Sequence, residues 1–200
     1  MVMTKDVLFS LTKGGFAPQE EMLEVARKKG KLYIGIPKEI AFQENRIALT
    51  PDAVGVLVAN GNQVTIEHKA GERSHYSDKD YSEAGAQIVY DRAAVYQCPI
   101  LVKSAPPVEE DVPLLQMNQI IISPIHHSAL KKEIIEKMMA KRITALSFEN
   151  FKDDSGTYPI VRSMSEIAGN YAIAVAARYL SNEYGRGVLL GGIAGQPPSK

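Results

Sequence analysis

Arg46 is the one arginine in the loop 38–50, within the stretch YIGIPKEIAFQENRIALTPDAV. An apolar burst ends at Pro37 before it, and Thr50-Pro51-Asp52 opens an apolar periodic segment after it. An arginine fork grips a carboxylate through two parallel hydrogen bonds. Three other stretches carry polar groups directly after apolar runs. KSAPP begins at Lys103, the HHS of His126 and His127 follows SPI, and Glu149 follows ITALSF. Histidine can donate to a carbonyl or shuttle a proton at neutral pH. Arginine, histidine and lysine converging at one rim would suit a small carboxylate ligand. Each also has a plainer reading: a loop arginine is commonly solvated or ion-paired on the surface, and a histidine pair after a strand can serve the local backbone.

Other chemistries find less support. His68, His75, His126 and His127 show no metal-ligand spacing, and Cys98 stands alone. Ser165 has no partners that mark a hydrolase nucleophile. The glycines at 191–195 form no G-x-G-x-x-G between a strand and a helix, so they give no phosphate cradle.

The elements that must position these residues alternate. Strands are expected at 32–36, 63–68, 86–90, 99–103, 118–125 and 143–149. Helices are expected from Thr50 as cap to Asn60-Gly61, over 78–85, within VEEDVPLLQ, and over 130–141. Repeated βα units of this length predict an α/β fold: a doubly wound, mostly parallel, Rossmann-like or flavodoxin-like sheet. In such sheets ligands bind beyond the carboxyl ends of the strands, where the four polar stretches lie. A long helix follows, capped by Ser163 or Ser165 and running to about Tyr179. Its small residues, among them Ala168, Gly169 and Ala172, predict packing inside the molecule or between two domains. Residues 1–31 read as an extension whose helix starts at Pro18, and Gly185 to Pro198 reads as linker.

Composition sets the class. Of 200 residues, 45% are hydrophobic, enough for a packed core, and 23 basic residues balance 23 acidic ones. No basic run supports nucleic-acid binding. No apolar run reaches the roughly 20 residues a membrane helix needs. A single cysteine fits a reducing compartment, so the default expectation is cytoplasmic.

Four segments together carry a family resemblance: IGIPKEIAFQENRIALTPDAV, AGERSHYSDKDYSEAGAQIV, SMSEIAGNYAIAVAARYL and GRGVLLGGIAGQPPSK. In this order and spacing, over residues 32–200, they resemble the N-terminal part of the alanine dehydrogenase and nicotinamide nucleotide transhydrogenase alpha-subunit family. The resemblance implies a substrate domain at 32–162, followed at 163–200 by an interdomain helix and a linker. A Rossmann domain carrying the NAD site would come next, so the chain is expected to be the first part of a longer, homo-oligomeric enzyme. It also implies roles. Arg46 would hold the carboxylate of alanine or pyruvate, and His126 would be the catalytic histidine. Met164 and Ser165 would lie beside NAD. Lys103 matches the first lysine of the family's K-V-K-E-P. Ala105 stands where the second, substrate-contacting lysine belongs, so Lys103 is the candidate to replace it. The implied reaction converts L-alanine, NAD and water to pyruvate, ammonia and NADH. The alternatives are a transhydrogenase-like protein, against which Arg46 and His126 argue, and a non-catalytic small-acid-binding domain, for which Ala105 argues.

Overall fold

A computed structural model of the chain describes residues 30–125 and 130–188. The expected helix after Pro18, residues His126 and His127, and the glycine-rich tail from 189 lie outside the described residues. Six strands form one sheet: β1 (Tyr33–Ile36), β2 (Gln63–Glu67), β3 (Gln87–Val89), β4 (Ile100–Val102), β5 (Ile120–Ser123) and β6 (Thr144–Ser147). Their order is β3-β2-β1-β4-β5-β6 and every pairing is parallel. The chain winds outward from β1 in one direction, then returns past it to β4 and winds outward in the other. The order reverses between β1 and β4, the place where a crevice opens at the strands' carboxyl ends.

The connecting helices divide between the two sheet faces. Helices α1 (Pro51–Ala59) and α2 (Asp78–Glu83) cover one face, where Val54 and Tyr81 pack on Ile34, Ile36, Val64 and Ile66. Helices α3 (Arg92–Val95) and α4 (Lys132–Ala140) cover the other, where Val95, Ile134 and Met138 pack with Leu101 and Ile121. Period-two alternation therefore feeds two cores from one sheet. Gly35 lets α3 cross close to β1: a Cβ there would lie 2.6 Å from the Val95 carbonyl oxygen. Caps follow local chemistry. Thr50 Oγ1 accepts from the Ala53 amide, with Pro51 at the first helical position. Ser77 and Asp80 form a reciprocal capping box on α2.

Two sequence expectations need correction. The stretch VEEDVPLLQ forms hydrogen-bonded turns rather than a helix. Pro113 has no amide hydrogen and disfavours helical geometry at Val112. The Asp111 carboxylate instead accepts from the Val108 amide at 3.1 Å. The long helix α5 (Pro159–Leu180) begins before either serine, with Tyr158 as cap residue and Pro159 in its first turn. Ser163 Oγ donates back to the Pro159 carbonyl at 2.9 Å, and Glu166 pairs with Arg162. Among the described residues α5 buries none of its own side chains. It meets the sheet domain beside the 3-10 turn Phe148–Asn150, near the carboxyl end of β6. The short helix α3 went unseen in the sequence because four residues show no periodicity.

Candidate functional site

The loop after β1 places Arg46 at the rim of the switch point. Two clefts meet at this side chain. The smaller, about 350 Å³, is lined by Arg46, Pro124, Phe148, Ile160, Met164 and Ser165, among others. The larger, about 520 Å³, runs from Arg46, Lys103, Ser104 and Met164 down over the apolar sheet face of Ile34, Val102 and Ile122. Residues distant in sequence thus converge: Arg46 from β1, Lys103 from β4, and Met164 and Ser165 from the second turn of α5. Pro124, a wall of the smaller cleft, stands two residues before His126, which lies outside the described residues. Ala105 is buried and lines neither cleft.

Arg46 is half exposed and already held from one side. Its Nε and backbone amide donate to Glu44 Oε1 at 2.8 and 2.9 Å, and its Nη2 donates to Glu44 Oε2 at 2.6 Å. Hydrogen bonding from Arg46 holds the Glu44 carboxyl below its ordinary range. Nη1 reaches across to Met164 Sδ at 3.6 Å. The Nε–Nη2 edge is filled, and the Nη1–Nη2 edge faces the cleft against α5. A carboxylate could take that edge through both nitrogens, with its organic tail against Phe148, Ile160 and Met164.

Lys103 has a different setting. Its side chain is 2% exposed and donates to Glu39 Oε2 at 2.9 Å, with Asp111 Oδ2 at 3.2 Å. Glu39 Oε1 accepts the Ser104 and Ala105 amides at 2.6 and 3.3 Å, which fixes the loop after β4. Asp111 also accepts from Arg92 Nη2 at 2.7 Å and from the Tyr96 hydroxyl at 2.6 Å. Arg92 Nη1 reaches Glu67 and the Lys38 carbonyl at 2.9 and 2.8 Å. Burial pushes the Asp111 carboxyl up, but Lys103, Tyr96, the Val108 amide and Arg92 outweigh it and hold it low. Burial and the Asp111 charge push the Tyr96 phenol well up. Beneath the clefts lies a buried ionic cluster joining the ends of β1, β2 and β4 to α3. Through Glu39 and the Lys38 carbonyl it ties down the start of the loop that carries Arg46.

The strand-end rule predicts Arg46 and Lys103 at one rim, and the family resemblance implies Met164 and Ser165 beside a cofactor; Arg46 and Met164 line both clefts, Lys103 the larger and Ser165 the smaller. Sequence reasoning gave no role to Glu44, Glu39, Arg92 or Asp111. Glu44 was detectable as the carboxylate two residues before Arg46. The cluster had no such signal, because its members sit on separate elements. Among the described residues, no group of His, Cys, Asp and Glu is arranged to hold a metal ion, and no helix is long and apolar enough to cross a membrane.

Comparison with known proteins follows the same lines. The chain is 33% identical over 168 residues to alanine dehydrogenase 2 of Staphylococcus aureus strain USA300, spanning 84% of this chain and 45% of that protein. A solved L-alanine dehydrogenase superposes with a TM-score of 0.78 at 36% identity, covering 84% of this chain and 46% of the other. A solved transhydrogenase from Sinorhizobium meliloti gives a TM-score of 0.54 at 25% identity, over 58% of this chain and 35% of that one. The chain thus spans a little under half the length of the curated relative and of the dehydrogenase structure. The profile described as alanine dehydrogenase/PNT, N-terminal domain, matches residues 35–168, and the chain belongs to that family through this domain.

Proposed function

We propose that the chain is the substrate-domain part of an NAD-dependent oxidoreductase that converts L-alanine, NAD and water to pyruvate, ammonia and NADH. The observation that supports this most is the Nη1–Nη2 edge of Arg46, which no carboxylate occupies and whose Nη1 makes only a long contact of 3.6 Å to Met164 Sδ in an apolar-walled cleft at the switch point. That edge would hold the substrate carboxylate. His126, by its place in the sequence, would hydrogen-bond the keto oxygen and carry its proton. Met164 and Ser165 would form the wall nearest the nicotinamide, which when bound accepts the hydride from the alanine Cα. The apolar wall of Phe148, Ile160 and Met164 with Ser165 beside it would suit the flat face of a nicotinamide, but no G-x-G-x-x-G lies in the chain to cradle a pyrophosphate. Tight NAD binding is therefore assigned to the portion of the relatives that this chain does not span. Lys103 would act on the substrate through the electrostatics of the rim, since its own hydrogen bonds go to Glu39 and Asp111.

The test joins this chain to the remaining C-terminal portion of the S. aureus relative. The expected result is NADH formation from L-alanine by the hybrid and none by the chain alone. A folded hybrid that binds NAD yet oxidises no alanine would contradict the proposal. The second reading, a non-catalytic small-acid-binding domain, rests on Ala105, which by the family match stands where a substrate-contacting lysine belongs, although the alanine itself is buried and lines neither cleft. Ala105→Lys in the hybrid separates the two. The site is 3% exposed, so the longer side chain should cost about 1–3 kcal/mol of stability. If the new ammonium reaches the oxyanion, turnover should rise at least tenfold, about 1.4 kcal/mol of barrier. A hybrid inactive with either residue at 105 favours the binding reading.

A further inference from the structure

The loop that carries Arg46 is held at several points by residues with no place in the proposed reaction. Gln43 adopts a left-handed backbone with φ 58°, which turns the chain so that Glu44 points back inward. The Glu44 side chain is 12% exposed, whereas the Arg46 side chain is 56% exposed. The carboxylate is thus enclosed, and the guanidinium is the accessible partner. The carbonyl of Glu44 accepts from Arg73 Nη1 at 3.2 Å, and the carbonyl of Asn45 accepts from Ser74 Oγ at 2.6 Å. Both donors come from the 3-10 turn Glu72–Ser74, which follows β2. That turn is itself packed tightly, since a Cβ on Gly71 would lie 2.6 Å from the Tyr81 ring. The Tyr81 hydroxyl donates to the Leu49 carbonyl at 2.8 Å and so ties the far end of the same loop.

A guanidinium offers two bidentate edges, a side edge of Nε and Nη2 and an end edge of Nη1 and Nη2. Glu44 fills the side edge with two short bonds and adds a third from the Arg46 backbone amide. A ligand that had to displace Glu44 would meet an enclosed, backbone-anchored competitor. A ligand that takes the end edge has only the weak thioether acceptor of Met164, 3.6 Å from Nη1, to displace, and its carboxylate lies in the plane that Glu44 has already fixed. Unheld, an exposed arginine samples many rotamers, and the cost of ordering it falls on ligand binding.

We propose that Glu44, buttressed by Arg73 and Ser74, is a positioning residue that locks Arg46 so that only its end edge is offered to a small 2-oxo acid. This rests on the carboxylate role of Arg46 given above. It assigns a purpose to the Gly71–Ser74 stretch, whose side chains stand a full strand away in sequence from the residue they orient.

The experiment uses the 200-residue chain, with pyruvate as the probe. The first arm needs no ligand. In an ¹⁵N-labelled sample, the Arg46 Nε–H resonance is assigned by its disappearance in Arg46→Lys, and its exchange with water is measured. Glu44→Gln should speed that exchange at least tenfold while the circular dichroism spectrum stays the same, and Glu44→Asp should restore part of the protection. Equal exchange in wild type and Glu44→Gln overturns the proposal whether or not pyruvate binds. The second arm is calorimetric. Glu44→Gln should raise the pyruvate Kd about tenfold, and Arg73→Ala, which removes a hydrogen bond to the Glu44 carbonyl but alters neither side chain of the pair, should raise it two- to fivefold. Unchanged or tighter binding in Glu44→Gln also overturns the proposal, because Glu44 would then be a competitor for Arg46. Wild type that protects Nε–H yet binds no pyruvate counts against the carboxylate site itself, and the exchange comparison alone then decides the role of Glu44.

Discussion

Lys103→Met should lower the unfolding free energy by about 3–5 kcal/mol, because it leaves the buried Glu39 without its cation and Asp111 with Arg92 as its one remaining cation. Lys103 Nζ is within 2.9 Å of Glu39 and 3.2 Å of Asp111, and Asp111 is fully buried. Domains of this size carry about 5–15 kcal/mol in total, so the loss would consume much of the margin. Urea denaturation should show the midpoint falling by more than about 1 M. The double variant Lys103→Met with Glu39→Gln should lose less than the sum of the two single losses, since it removes a charge of each sign. A single-variant cost under about 1 kcal/mol would mean that water reaches the cluster. Acidity should act through the same residues. The folded Asp111 carboxyl lies below its ordinary 3.8. Its contribution is therefore present above the unfolded value and is lost as pH falls through the folded one. Lys103→Met should weaken that acid dependence.

Arg46→Ala should reduce kcat/KM for L-alanine in the hybrid enzyme by about 10²–10³, or roughly 2.7–4 kcal/mol of transition-state binding. The loss would fall on a group that aligns the substrate as well as binding it, so kcat and KM should both suffer. Arg46→Lys separates charge from shape. A lysine keeps the positive charge but has no fork to share between Glu44 and a ligand, so it should recover only a small part of the activity. Arg46→Ala also removes the side-chain partner of the enclosed Glu44 carboxylate and should cost about 1–3 kcal/mol of stability, so the kinetics are to be read on protein shown by urea denaturation to be folded, whereas Arg46→Lys keeps a cation beside Glu44 and should cost less. A fall in kcat/KM of less than threefold on Arg46→Ala would show that the carboxylate is held elsewhere.

Much of this arrangement was legible in the sequence. β1 was visible as an apolar burst, and Thr50-Pro51 announced α1, so Arg46 had to lie in a strand-to-helix loop at the carboxyl edge. The strand-end rule then gathered Lys103 and the residues after β5 and β6 to the same rim. The ionic cluster was not legible. Glu39, Glu67, Arg92, Lys103 and Asp111 each look like ordinary polar residues, and only the β3-β2-β1-β4 order brings them together. The stretch VEEDVPLLQ also fits a helical pattern, and nothing in it signals that the Asp111 carboxylate caps the Val108 amide ahead of Pro113. Pro159 opens α5 by the same first-turn rule that places α1 at Pro51, while Ser163 and Ser165 downstream carry a competing cap pattern in the sequence.

The claim at the centre is that the end edge of Arg46 binds the carboxylate of a small 2-oxo acid within this domain. Calorimetric titration of the 200-residue chain with pyruvate tests it most directly. One bidentate charge-assisted contact in an apolar-walled cleft should give a Kd of about 1 mM, near −4.1 kcal/mol, and Arg46→Ala should abolish the saturable heat. Saturable pyruvate binding of the same strength in Arg46→Ala, or none in the wild-type chain up to about 50 mM, well beyond that affinity, would contradict it.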